Sequence, residues 1–370
     1  MMNLMTWHSL PFALANASAD WSASSGLQEL QKALGNEAAK RSAELLEGIQ
    51  RYIAAPYQRH VPEPRSIWKS GSARLLDYGD DGTPLLFIPS LINRYYILDL
   101  EENRSLLRYL SQQGIRPFVL DWGVPDSSES DFGTLDYVNE RILPAIDFLH
   151  RSTGQQIALA GYCMGGVLSI AAAQLAPKKL SSLSLFATPW DFHCKSFAPF
   201  ILSEEWQGIV SQALSGNKPL PGEWVQSLFY MTDPWVFEQK FRRFAGLDLA
   251  SSAARDFIAL ERWVNDGVPM TARVARDTLL GWAQKNSLAT GGWRLSNKII
   301  DPQKIKLPTF IAIPKNDHVV PFDCAWPLVQ LFKNATILQP SSGHVGMMVG
   351  RSARKELWEP FASWLAALHK

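Results

Sequence analysis

The chain reads as an α/β protein, a mostly parallel sheet interrupted late by an inserted helical, Trp-rich cap. Three observations carry this. Short apolar runs alternate with helical stretches from Ser72 onward. One run ends in Gly161-Tyr162-Cys163-Met164-Gly165-Gly166, a strand-turn-helix layout. The alternation then stops between about Phe192 and Pro302, where tryptophans gather.

Seven runs read as strands: 73–77, 85–89, 117–121, 157–160, 183–187, 309–313 and 336–339. Most are continuous apolar stretches, as expected for parallel strands buried on both faces. Segments 105–113, 135–150 and 166–175 read as helices between them, and that alternation specifies a parallel sheet. Ahead of the sheet, Leu27, Leu30, Leu34, Ala38, Leu45, Ile49 and Ile53 recur at helical spacing among Glu, Lys and Arg. They predict an amphipathic helix packed on a domain surface. Pro56, Pro62 and Pro64 mark a linker. In the interruption, 251–264 and 271–285 read as helices. Open α/β sheets carry their sites at the carboxyl ends of strands, where an insertion placed here would sit as a cap. The expected plan is 1–70 as N-terminal helix and linker, 71–191 and 303–370 as the two parts of the core, and 192–302 as the cap.

Composition excludes several classes. With 370 residues and 46% hydrophobic residues, the chain can bury a large core. A net charge of +1 gives no reason to expect a nucleic-acid partner. Three cysteines, Cys163, Cys194 and Cys324, are too few and odd for a disulfide framework and point to a reducing, cytoplasmic compartment. No apolar run is long enough to span a membrane. Leu10-Pro11-Phe12-Ala13-Leu14 is short and has no Lys or Arg before it, so it is not read as a leader. Trp206, Trp224, Trp235, Trp263, Trp282 and Trp293 fall in the interruption. Packing is the first reading of so many aromatics; an apolar substrate tunnel is the second.

The chemistry centres on Cys163. An apolar run, a glycine, a residue, a nucleophile, and two glycines opening a helix form the nucleophile elbow, with cysteine where serine is usual. A thiol nucleophile needs a base, and the base an orienting acid. In the α/β-hydrolase fold these follow in the order nucleophile, acid, histidine. Downstream histidines are His193, His318, His344 and His369. His344 lies in Ser341-Ser342-Gly343-His344-Val345-Gly346, after the 336–339 strand; Asp317 follows the 309–313 strand. Cys163, Asp317 and His344 are therefore the expected triad. His318 competes for the base but, beside Asp317, is read as a pocket residue, as is Tyr162. The oxyanion hole should combine the Met164 N–H with that of Leu91 or Ile92, from the loop after 85–89. Taken singly, a cysteine is most often a small buried hydrophobe and a strand-end Asp a turn cap. No metal site is expected.

Cysteine favours a particular reaction. Acyl transfer from a thioester to a thiol replaces one thioester by another, so the acyl group stays activated and a hydroxyl can compete with water. The imidazole helps ionise the thiol and can deprotonate an incoming alcohol.

Several segments resemble the polyhydroxyalkanoate synthases. They are Leu91-Ile92-Asn93-Arg94-Tyr95-Tyr96-Ile97-Leu98-Asp99-Leu100, Val119-Leu120-Asp121-Trp122-Gly123, the Cys163 elbow, Thr188-Pro189-Trp190-Asp191-Phe192, Leu260-Glu261-Arg262-Trp263-Val264-Asn265-Asp266, Asp317-His318-Val319-Val320-Pro321 and Gly343-His344-Val345-Gly346. The resemblance runs from about Gly71 to Trp364. It implies that Cys163 carries the acyl group, His344 is the general base and Asp317 its acidic partner. It also implies joining of (R)-3-hydroxyacyl groups from coenzyme A thioesters into an intracellular polyester, with release of CoA. No separate cofactor is expected, since the substrate brings the coenzyme A. The size resembles catalytic subunits that work with a small second subunit; a homo-oligomer and a granule surface are further expected partners. Asn316 before the Asp-His pair and Cys194 depart from the pattern.

Two other readings share these residues. A cysteine hydrolase of the same fold (polyester depolymerase, thioesterase or dienelactone hydrolase-like) would use water as acceptor. An inactive granule-binding protein would use the aromatic surface, against which the triad speaks. Lys240-Phe241-Arg242-Arg243 could meet CoA phosphates, although such runs are more often solvated faces.

Overall fold

The computed structural model describes residues 25–216, 218–232, 234–295 and 298–368. The Leu10–Leu14 stretch and His369 lie outside them. The chain divides into two compact units. One joins the described residues up to Pro56 with Pro234–Phe257; the other spans Tyr57–Asp233 and Ile258–Lys370.

The larger unit is built on eight strands among the described residues. They are β1 (Arg65–Ser70), β2 (Ala73–Asp77), β3 (Thr83–Ile88), β4 (Ile115–Asp121), β5 (Ile157–Tyr162), β6 (Leu180–Phe186), β7 (Thr309–Ala312) and β8 (Ala335–Leu338). Their order is β1-β2-β4-β3-β5-β6-β7-β8. β2 runs antiparallel to both neighbours. The strands from β4 to β8 are parallel to one another. All seven strands expected from apolar runs are present within a few residues. β1 escaped notice because Arg-Ser-Ile-Trp-Lys-Ser, with no residue fully buried at the sheet edge, carries no apolar run.

Central strands are buried outright: Leu85, Leu86, Phe87 and Ile88 in β3 have no accessible surface. Helices Leu143–Thr153 and Met164–Leu175 pack on the sheet. Phe87, Phe186, Phe310 and Phe361 form one aromatic contact chain from the sheet to helix Glu359–Leu368. Parallel pairing brings the carboxyl ends of β3, β5, β7 and β8 to one edge. Ile88 pairs with Gly161, and Ala312 with Leu338.

The proline-marked segment after Ala54 is not a free linker. Arg59 donates to the Asp99 carboxylate at 2.7 Å and Tyr57 to Glu101 at 2.5 Å. Asp99 is fully buried and also receives Arg108 at 2.7 Å and the Tyr78 hydroxyl at 3.0 Å. A buried carboxylate needs such partners to remain charged.

Between β6 and β7 the larger unit holds helices Glu204–Ala213 and Gly222–Thr232, the end of Ser252–Val264, Ala272–Arg276 and the π-helical Asp277–Gln284. Ser203 and Thr271 cap two of them, accepting from Trp206 N–H at 3.2 Å and Val274 N–H at 3.1 Å. Trp206, Trp263, Trp282 and Trp293 are buried, and Trp282 packs edge-on to Trp293. Trp235 is exposed.

The smaller unit pairs helix Ser25–Ala54 with helix Pro234–Ala245. This corrects the sequence plan, which set 1–70 and 192–302 apart. The physical reason is a shared core: Tyr52, Phe241, Phe244 and Phe257 contact one another edge-on or stacked. Arg242 bonds Glu44 at 2.9 Å and Glu238 at 3.2 Å, and Phe241 is buried. The basic run around Phe241 is thus half structural. The long helix packs from about Glu44 onward; residues 28–43 are exposed on every side, Leu30 and Leu34 included. The expectation of an apolar face packed along the whole helix does not hold.

Gly48 is where the two helices approach: a Cβ there would stand 2.0 Å from the Phe241 carbonyl oxygen. Gly48→Ala should destabilise this unit by about 1–3 kcal/mol, the usual cost of overpacking. Urea denaturation followed by far-UV dichroism measures it, and Ala substituted at exposed Gly35 is the control.

Candidate active site

Cys163 sits at the turn between β5 and helix Met164–Leu175, with φ 56° and ψ −127°. A side chain rarely adopts that conformation, so the surroundings must hold it. Cys163 N–H donates to Phe186 O at 2.8 Å, and its carbonyl accepts from Gly166 N–H at 2.9 Å. Gly165 lets the helix start against β3: a Cβ there would lie 2.1 Å from Ile88 O. The sulfur is thereby carried to the carboxyl edge of the sheet.

Asp317 and His344 arrive from the loops after β7 and β8. Asp317 Oδ1 accepts Val319 and Val320 N–H, each at 2.8 Å. Its Oδ2 is left to His344 Nδ1, at 2.7 Å. Asp317 is 6% exposed, His344 8% and Cys163 8%. Tyr162 lies 5.0 Å from the imidazole, ring to ring, and its hydroxyl donates to His344 O at 3.2 Å. Burial by itself would lower the His344 pKa. The electrostatic pull of Asp317 and Cys163, with hydrogen bonds to both, outweighs it and holds the imidazole at about 10. With Nδ1 committed to Asp317, Nε2 is the nitrogen left for the thiol. The arrangement can hold a proton between sulfur and imidazole and pass it to a departing or arriving group.

A cleft open to solvent contains Cys163 and His344. Its walls are mainly apolar, from Pro89, Ile92, Ile97, Trp263, Val319 and Val345. The insertion contributes Gln226, Trp263 and Val264. These are tied to the loop after β3. Val268 N–H donates to Ile92 O at 2.8 Å, and the Trp263 indole to Arg94 O at 2.8 Å. Arg94 stands 3.6 Å from Asp266, which also receives the Tyr96 hydroxyl at 2.8 Å.

The structure brings Cys163, Asp317, His344 and Tyr162 together. Met164 is the first residue of its helix, where backbone N–H groups have no intrahelical acceptor, so its N–H is available beside the sulfur. Ile92 lines the cleft, but its N–H is engaged by Ser90 Oγ at 3.2 Å. Leu91 lines a smaller cavity with Trp122, Tyr137 and Met270 instead. His318 is corrected: it is exposed and does not line the cleft. The Asp317 turn explains it, because the carboxylate folds inward onto Val319 and Val320 and the next side chain faces out. Sequence reasoning missed Asn93, Gln226 and Val264 as wall residues. Asn93 and Val264 lay within noticed motifs; Gln226 carried no signal.

Residues 83–351 match the family described as the alpha/beta hydrolase fold. The chain is 28% identical over 309 residues to the poly(3-hydroxyalkanoate) polymerase subunit PhaC of Haloferax mediterranei, covering 81% of this chain and 63% of that one. It is 29% identical over 292 residues to the same-named subunit of Thiocystis violacea, covering 76% and 80%. Among solved structures, it is similar to a thioesterase domain from the curacin biosynthetic pathway, with TM-score 0.50 and 16% identity over 82% of this chain and 99% of that one. It is equally similar to a carboxylesterase of Nitrososphaera gargenis, with TM-score 0.50 and 14% identity over 81% and 97%. These two likenesses concern the fold.

The charges around His344 can be tested directly. Removing either anion removes support for the imidazolium, so its titration midpoint should fall in Cys163→Ala and fall further in Asp317→Asn. Proton NMR of the imidazole C–H across pH measures it; a midpoint that stays put in both variants would refute the assignment.

Proposed function

We propose that this chain, which belongs to the alpha/beta hydrolase fold family, is a poly(3-hydroxyalkanoate) polymerase that works through an acyl-cysteine at Cys163. The observation that carries the reading is a thiol, not a hydroxyl, held at the elbow with Asp317 and His344 behind it. The polymerase relatives support it.

In this reading the Cys163 sulfur, ionised by proton transfer to His344 Nε2, attacks the thioester carbonyl of a 3-hydroxyacyl-CoA. Negative charge on the carbonyl oxygen is met by the Met164 N–H, with Ile92 N–H exchanging Ser90 Oγ for the oxyanion. The carbon–sulfur bond to coenzyme A breaks, and CoA leaves with the proton from His344. The second half-reaction needs a base. His344, now neutral, takes the proton of a 3-hydroxyl as its oxygen attacks an acyl thioester carbonyl, forming the ester and freeing a thiol. Asp317 fixes the tautomer with Nδ1–H toward itself and balances the imidazolium charge. An apolar cleft suits an acyl chain and disfavours water as acceptor.

We extend the reading to the setting. The protein acts in the cytoplasm at the surface of its polyester, with a small second subunit; the relatives carry the word subunit in their names. Subunit need is read by comparing the CoA-release rate of the purified chain with and without added cell-derived polymerase components.

The deciding assay gives the protein (R)-3-hydroxybutyryl-CoA and follows both CoA and the acyl group. Polymer is expected; free 3-hydroxybutyrate alone would replace the polymerase reading with a hydrolase. Rapid quenching and mass spectrometry should find a hydroxybutyryl adduct on Cys163. Cys163→Ala should abolish CoA release. Asp317→Asn should slow it by about 10³-fold or more, the scale seen when a triad acid is neutralised.

A further inference from the structure

The cleft wall holds two side-chain amides joined at one acceptor. Asn93 Nδ2 donates to Val264 O at 3.3 Å, and Gln226 Nε2 donates to the same carbonyl. Asn93 comes from the loop after β3; Gln226 comes from the insertion and is buried. Both line the cleft that contains Cys163. Each amide has therefore spent a nitrogen donor on Val264. Among the described residues no donor reaches Asn93 Oδ1 or Gln226 Oε1.

Other polar groups of the wall are differently engaged. Ser90 Oγ accepts from Ile92 N–H, and the Tyr162 hydroxyl donates to His344 O. Arg94 also lines the cleft, but its guanidinium is turned to Asp266 at 3.6 Å, so the two amide oxygens are left without a bonded donor among the described residues. Water supplies that donor in the open cleft. An acyl chain that displaces the water must replace the bond or leave a buried acceptor unpaired.

Resting on the polymerase reading, we propose that Gln226 Oε1 and Asn93 Oδ1 recognise the 3-hydroxyl of the acyl group. The hydroxyl, two carbons from the reacting carbonyl, donates to one amide oxygen or both. A plain acyl group offers no such donor and strands them. Sites built to bond a substrate hydroxyl reject the analogue lacking it far more strongly than apolar pockets separate chain lengths. The pair therefore selects 3-hydroxyacyl over acyl thioesters before chain growth, and keeps Cys163 from being capped by a group that cannot elongate. The amides stay neutral and cannot take the proton, so His344 remains the base.

The test is single-turnover acylation of Cys163, read as the CoA burst and the adduct mass, with (R)-3-hydroxybutyryl-CoA and with butyryl-CoA. The wild type should prefer the hydroxyacyl thioester by about 30-fold or more. In Gln226→Met, nearly the same size without the acceptor, that preference should fall at least about tenfold. Asn93→Leu should lower it as well, so the test does not hang on one variant folding well. Each ratio is taken within one protein, so lost fold or active fraction cancels. Equal loss on both thioesters, with the ratio unchanged in both variants, overturns the inference and leaves the polymerase reading standing. Failure of the (R)-3-hydroxybutyryl thioester to acylate the wild type overturns both.

Discussion

Everything at the site depends on Cys163 staying in a left-handed turn. That conformation costs on the order of 1–3 kcal/mol for a residue with a Cβ. The sheet holds it: Cys163 N–H is anchored on β6 at Phe186 O, and Gly165 lets the following helix rest on the β3 carbonyl at Ile88. Were the helix lifted by a side chain at that contact, the sulfur would move and the Met164 N–H with it. Nucleophile and oxyanion donor are thus one rigid object, set by strand pairing rather than by loop conformation.

The base is positioned by a separate device. Two backbone N–H groups pin one oxygen of Asp317, so the other can point only toward His344. The chemistry lies in the meeting of two independently fixed parts, the β5 turn and the β7–β8 loops. The insertion adds the third part through Val264, Trp263 and Val268, which bond the loop after β3. Core and insertion build one wall through bonds that all end on main-chain carbonyls, two of them donated by side chains, Asn93 and Trp263.

Much of this was legible in the sequence because it rests on short patterns. Apolar runs marked the buried strands, and glycines around Cys163 marked the close approach of helix and strand. The order Cys163, Asp317, His344 followed from fold logic. Three things were not legible. The β1 strand is an exposed edge with no apolar run. His318 points outward because of where the Asp317 carboxylate finds its N–H partners, a property of the turn in three dimensions. Gln226 faces the cleft because its helix lays the side chain against the Val264 carbonyl, a contact made only in the folded chain. The grouping of Pro234–Phe257 with the N-terminal helix was hidden too, since Gly48 and Phe241 meet across nearly two hundred residues of sequence.

The insertion leaves the larger unit after Asp233 and rejoins it at Ile258. On either side, Leu220 and Met270 exchange backbone bonds of 2.7 and 2.9 Å, and Gly222 lies close against Gly267. The wall is therefore sealed at the base of a loop of about fifty residues. Closing such a loop costs free energy that grows only with the logarithm of its length, about 0.6 kcal/mol per doubling. Gln226, Trp263 and Val264 lie just inside that seal, so extra length is tolerated away from them, in the 246–251 turn, at little cost to the wall. In evolutionary terms, the part of this chain that can vary fastest is attached directly to the part that must not move.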